Sequence, residues 1–106
     1  MAYRILIVDD DIELLKMLKN YFEIKRYDVM MAEDGTDALE KIHKKPDIIL
    51  LDINMPKMDG YEATKYIRES SHKNAKGIPI VALTANAFTE DVSNAISSGM
   101  NAHVSK

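Results

Sequence analysis

The stretch IILLDINMPKMDG (residues 48–60) runs four aliphatic residues straight into a carboxylate and then into an Asn-Met-Pro turn. Four apolar residues in a row suit a strand covered on both faces, as in a parallel sheet. The acid that closes such a strand is predicted to stand at a sheet edge. Working outward, RILIV (4–8), DVMMA (28–32), DIILL (47–51), IPIVALT (78–84) and AHVS (102–105) are likewise short and mostly apolar. Helical spacing fills the intervals. Over 11–25, Leu15, Leu18 and Phe22, joined by Leu14 and Tyr21, recur three and four residues apart. Ala38, Leu39 and Ile42 mark a second helix, Ala63, Tyr66 and Ile67 a third, and Val92, Ala95 and Ile96 a fourth. The fourth carries Thr89 as a plausible N-cap and Gly99 as a left-handed stop. The order βαβαβαβαβ predicts an α/β, doubly wound fold: a five-stranded parallel sheet with right-handed crossovers and helices on both faces.

Composition narrows what the fold can serve. A chain of 106 residues, 46% hydrophobic and 29% charged, suits one globular domain spanning 1–106 rather than a disordered segment. The polar stretch ESSHKNAKG (69–77) reads as a helix-to-strand connection, not a boundary. The lack of cysteine excludes disulfides, thiolate metal sites and Cys nucleophiles, in keeping with a reducing compartment. No apolar run approaches the ~20 residues of a membrane span, and no signal-peptide pattern opens the chain, so the expected location is cytoplasmic. A net charge of −3 with mixed signs provides no basic footprint for direct nucleic-acid binding.

Ligand sites of open α/β sheets form outside the carboxyl ends of the strands. There the first strand ends in Asp9, Asp10 and Asp11, the third at Asp52, the fourth at Thr84, and the fifth at Ser105 and Lys106. Taken singly each has an ordinary reading. Asp10, three residues before Glu13, fits a capping box for the first helix; Thr84 fits a turn or cap, and Lys106 a solvated terminal side chain. Taken together, Asp9, Asp10 and Asp52 would repel one another unless a cation neutralises them. Mg²⁺ prefers such oxygen ligands and keeps several waters, which leaves room for a phosphate. A phosphoryl group arriving at Asp52 could then be held by the metal, the Thr84 hydroxyl and the Lys106 ammonium.

On ILIVDDD, LLDINMPKMDG, PIVALTA and the final SK, in that order over essentially all of the chain, the sequence resembles the receiver domain of two-component response regulators. The resemblance implies the strand order 2-1-3-4-5 of the flavodoxin-like folds. It makes Asp52 the phospho-acceptor, Asp10 the more direct Mg²⁺ ligand, Asp9 a ligand acting mainly through water, and Asn54 a ligand through its backbone carbonyl. Thr84 becomes the switching hydroxyl and Lys106 the ammonium at the phosphoryl site. Met55, Pro56 and Gly60 shape the loop after the acceptor. The implied function is transfer of a phosphoryl group from a phosphohistidine donor, on a histidine kinase or histidine phosphotransfer domain, to Asp52. That transfer would shift the chain from inactive to active conformations. The output contact is expected around the fourth helix and fifth strand, at ANAF (85–88) and NAHVSK (101–106). Such a domain promotes its own phosphorylation and hydrolysis, with no separate substrate to make it an enzyme.

Two features depart from the family pattern. His103 stands where many receivers carry Tyr or Phe as an aromatic switch; it reads either as a switch or as a partly exposed strand histidine. Here and in ALTANAF the chain resembles receivers attached to hybrid sensor kinases, which favours a phosphorelay, whereas a start at Met1 without an upstream linker favours a stand-alone regulator. The family also continues past the lysine with Pro and a fifth helix, absent from this sequence, which would leave one sheet face open to a partner or a dimer. The expectation is a domain truncated after strand five. Among other classes, an Asp-nucleophile phosphatase commonly has a second acid two residues after the nucleophile, where Asn54 stands instead. A phosphorylation-independent interaction domain is the third reading. Flavin binding lacks a Ser/Thr/Gly-rich phosphate loop after the first strand.

Overall fold

The computed structural model describes residues 3–53, 60–69, 77–84 and 96–105, with Thr84 and Ser105 described by their backbone. Within these, β1 (Arg4–Val8), α1 (Ile12–Ile24), β2 (Asp28–Ala32), α2 (Gly35–Lys41), β3 (Ile48–Asp52), α3 (Gly60–Glu69), β4 (Ile80–Thr84) and β5 (Ala102–Ser105) follow one another along the chain. All four strand pairings are parallel, and the order is β2-β1-β3-β4-β5. The doubly wound order expected from the resemblance is therefore the observed one. Residues 96–98 are helical and end on Gly99 at φ 108°, the left-handed stop expected there; Thr89 and the rest of the fourth helix lie outside the described residues.

Alternation along the strands divides the interior into two cores. Leu6 and Val8 of β1, Ile49 and Leu51 of β3, and Ile80 and Ala82 of β4 face Ala38, Ile42, Ala63 and Ile67. Ile5 and Ile7 face the other way, onto Leu15, with Leu18, Phe22, Val29, Met31, Ile48 and Leu50 partly buried beside them. Central strands covered on both faces need apolar residues at every position, which is why the runs are continuous rather than alternating.

Three local expectations change. Asp11, not Asp10, caps α1: its Oδ1 accepts from the backbone N–H groups of Glu13 (3.1 Å) and Leu14 (3.2 Å). The helix begins one residue later than a cap at Asp10 requires, and this leaves Asp10 available at the sheet edge. On α3 the buried stripe is Gly60, Ala63, Thr64 and Ile67, whereas Tyr66 is 53% exposed, because at 100° per residue it projects away from that stripe. The third strand begins at Ile48, one residue later than DIILL, and ends at Asp52 as expected.

One terminus carries strain. At the end of α1, Tyr27 N–H donates to Phe22 O (3.0 Å) and Arg26 N–H to Glu23 O (2.9 Å), the paired bonds of a Schellman motif. Arg26 adopts φ 71° at the position where such motifs favour glycine.

Candidate acidic site at the carboxyl edge

Strand register assembles the site before any side chain is considered. Val8 pairs with Leu51, so Asp9 and Asp52, each one residue further on, leave adjacent strands side by side. Asp52 pairs with Leu83, so Thr84 lies one step beyond it on the next strand, and Thr84 pairs with Ser105, the residue before Lys106. With strands about 4.8 Å apart, a parallel register brings residues far apart in sequence to one rim.

Asp9 and Asp52 are buried, at 0% and 1% exposure, while Asp10 is exposed. One carboxylate oxygen from each of the three lies within 4.8 Å of the others. Two unit charges at that separation repel by about 1 kcal/mol in water and by about 3–4 kcal/mol at an effective dielectric constant near 20. The chain offsets part of this locally: Asp9 Oδ1 accepts from Asp11 N–H at 3.0 Å, while Asp9 N–H extends the ladder to Ala32 O at 3.1 Å. Carboxylates gathered at this spacing form a hard-oxygen donor set, with the exposed Asp10 on the solvent side and the two buried members behind it. That is chemistry suited to a small divalent cation with part of its coordination left to water.

Of the residues expected at the site, Asp9, Asp10 and Asp52 are brought together. Thr84 ends β4 at the same rim. Asn54 and Lys106 lie outside the described residues, as do Met55, Pro56 and residues 85–88. His103 is exposed on β5, opposite Ala82.

Sequence reasoning gave Gly60 a part in the loop after the acceptor but passed over Thr64, which with Gly60 supports the acceptor strand from below. Gly60, the first residue of α3, is buried, and its N–H donates to Ile53 O at 3.3 Å. A Cβ there would lie 2.6 Å from Asp52 O and 2.7 Å from Ile53 Cα, so only glycine lets the helix start against the acceptor's own backbone. One turn later the buried Thr64 donates its hydroxyl to Gly60 O at 2.7 Å. The available signal was the spacing of Gly60 and Thr64, four residues apart and therefore on one side of the helix.

A family model described as the response regulator receiver domain matches residues 5–106. A curated transcriptional regulatory protein of Bacillus subtilis, YrkP, is 36% identical over 106 residues, covering all of this chain and 44% of the relative. The chain spans less than half the length of curated relatives such as this one. Among solved structures, the chemotaxis protein CheY4 of Vibrio cholerae is 33% identical with a TM-score of 0.94, covering 100% of this chain and 88% of that one. The receiver domain of the sensor histidine kinase PA1611 of Pseudomonas aeruginosa, solved with a magnesium ion coordinated in its active site cleft, is 34% identical with a TM-score of 0.87. It covers 100% of this chain and 86% of that one.

Proposed function

Because this chain belongs to the response regulator receiver domain family, we propose that it is a phosphoacceptor module in which Asp52 takes a phosphoryl group from a phosphohistidine donor. The observation that carries the reading is the convergence of Asp9, Asp10 and Asp52 within 4.8 Å at the carboxyl edge of neighbouring strands. Asp9, Asp10 and Asp52, with the Asn54 carbonyl, would hold Mg²⁺; the receiver domain of PA1611 carries a magnesium ion in its cleft. When bound, the cation supplies neutralising charge to the carboxylates and to the oxygens of an incoming phosphoryl group.

The protein's own contribution is position. Burial on β3 and the support of Gly60 fix the Asp52 backbone, so its carboxylate attacks phosphorus from a set direction. The bond from an Asp52 oxygen to phosphorus forms as the bond from phosphorus to the donor imidazole nitrogen breaks. The Thr84 hydroxyl and Lys106 ammonium then meet the charge on the transferred group, and their movement toward it biases the surface of residues 85–88 and 101–106, with His103 on it, toward the active form. The donor is a histidine kinase or histidine phosphotransfer domain, the output a partner at that surface, and the setting the cytoplasm. Among the described residues no helix is long and apolar enough to cross a membrane. The chain consumes one phosphoryl group per cycle on its own carboxylate and has no separate substrate to turn over.

Intact-mass spectrometry after incubation with Mg²⁺ and a small acyl-phosphate or phosphoramidate donor tests this. One added phosphoryl mass is expected, dependent on Mg²⁺ and lost in Asp52→Asn. A folded wild type that gains no such mass, or an adduct that survives Asp52→Asn, would refute the assignment.

A further inference from the structure

β5 pairs on one side with β4, and among the described residues nothing pairs with its other side. Ala102, His103 and Val104 are all exposed. Among the described residues its register therefore rests on pairing with β4 alone, and a slip of one residue would move every group by about 3.3 Å and turn each side chain to the opposite face.

The contacts at the start of the strand converge on one side chain. Asn101 N–H donates to Ile80 O at 2.8 Å, and Asn101 Oδ1 accepts from Ile80 N–H at 2.9 Å. A single residue thus closes both backbone groups of the first residue of β4. The same Oδ1 accepts from Arg68 Nη2 at 2.8 Å. Arg68 also donates through Nε (3.1 Å) and Nη2 (2.8 Å) to Gly99 O, and through Nη1 (2.7 Å) to Ile78 O. One guanidinium from the end of α3 therefore clasps the approach to β4 and the turn that opens β5. Gly99 makes room for it: a Cβ there would stand 3.2 Å from Arg68 Cγ. Partial burial lowers the Arg68 pKa from its ordinary value through desolvation, yet a guanidinium remains charged at neutral pH. Its charge faces carbonyls just past a helix C-terminus, where a cation is favoured.

We propose that Arg68, acting through Asn101, is a positioning residue for phosphoryl transfer: it locks the register of β5 on β4, the strand whose last residue, Ser105, precedes the proposed phosphoryl ligand Lys106 in the chain. The inference rests on the phosphoacceptor reading above. Arg68 sits at the amino ends of β4 and β5, whereas Asp9 and Asp10 follow β1 and Asp52 closes β3 at the carboxyl edge. Loss of the clasp is therefore expected to slow phosphorylation without weakening the metal site.

The test is a cycle of variants with a small phosphodonor at saturating Mg²⁺, below the melting temperature of each protein. Arg68→Lys, which keeps the charge but loses the fork, and Asn101→Ala are each expected to slow adduct formation about tenfold, with Mg²⁺ affinity unchanged. Asn101→Asp, which keeps the acceptor oxygen, is expected to recover most of the rate. In a Lys106→Met background, Arg68→Lys is expected to add no further slowing, because the two act in one path. A rate equal to wild type with only a lower melting temperature would overturn the proposal. So would slowing that multiplies with Lys106→Met, or a loss of Mg²⁺ affinity in step with the rate. Cross-strand contacts between Ala82 and His103, read by NMR, report the register directly: they should shift or weaken in Arg68→Lys, and their persistence unchanged would also overturn it. If the wild type forms no adduct, the phosphoacceptor reading itself falls, and the NMR result still decides the register lock.

Discussion

Gly60→Ala should damage stability and phosphorylation together. The added methyl would stand 2.6 Å from Asp52 O, 2.7 Å from Ile53 Cα and 3.1 Å from Asp52 C, all backbone atoms that no rotamer change can clear. Restoring ordinary contact at 3.4 Å requires about 0.8 Å of separation between the start of α3 and the end of β3. Overpacking of this kind costs about 1–3 kcal/mol, and the helix preference of alanine over glycine offsets at most about 1 kcal/mol. A net loss of about 1–2 kcal/mol corresponds to a fall in Tm of about 5–10 °C for a domain of this size. Because the displaced atoms are the acceptor's own backbone, the carboxylate moves with them. Misplacement on the scale of 1 Å can slow a reaction about a hundredfold. Thermal melts and the rate of adduct formation measure the two effects, and Gly77→Ala is the control, since a Cβ at Gly77 meets nothing within 4 Å. A Gly60→Ala protein melting within about 2 °C of wild type and accepting phosphate at the wild-type rate would show that the close approach does not seat the acceptor.

Three further substitutions separate stability from ligand binding. Arg26→Gly should relieve the left-handed strain at the end of α1 and raise Tm by a few degrees, after allowing for the unfolded-state entropy of glycine, with phosphorylation unchanged; a lower Tm would count against the strain. Asp11→Ala removes the cap of α1 and should cost about 1 kcal/mol while leaving the Mg²⁺-induced rise in Tm intact. Asp10→Asn should show the reverse, an undiminished Tm without metal and little response to it; at a hundredfold excess over Kd the wild type gains about 2.7 kcal/mol. Melts with and without Mg²⁺ distinguish the pair, and an exchange of the two patterns would refute the roles assigned to Asp10 and Asp11.

Much of this architecture was legible because it follows from period and burial. The continuous runs at 4–8 and 48–51 announced strands covered on both faces, and the fifth strand falls on the residues anticipated for it. Asp9 and Asp52 could be paired on paper because strands with apolar runs of similar length end at a common edge. The misreadings arose where one residue decides between neighbours. Asp10 and Asp11 are chemically equivalent as caps, and only the position of the first helical turn chooses between them. Tyr66, three residues after Ala63, marks α3 by its spacing yet stands exposed, whereas Thr64, a polar residue, joins the buried stripe because its hydroxyl is satisfied by Gly60 O within its own helix. Arg68 was invisible to periodicity: its acceptors belong to residues 78, 99 and 101, and no local pattern reports a bond across that distance.

The all-parallel topology also has a kinetic consequence. β1 must wait for both of its neighbours, and Ile5 meets its partner on β3 only at Ile48. On a ribosome adding about 5–20 residues per second, several seconds pass before that partner exists, and no hairpin can form in the meantime to protect the strand. During that interval the aliphatic segment that later carries Asp9 to the rim is an unpaired edge with high β-propensity, the kind of segment that seeds aggregation. Pairings this distant also place the fold among slower-folding topologies. The charges that follow β1, at Asp9, Asp10 and Asp11, flank the sticky run and oppose its self-association in the nascent chain. The acids proposed to bind Mg²⁺ in the finished domain thus serve earlier as gatekeepers of its synthesis.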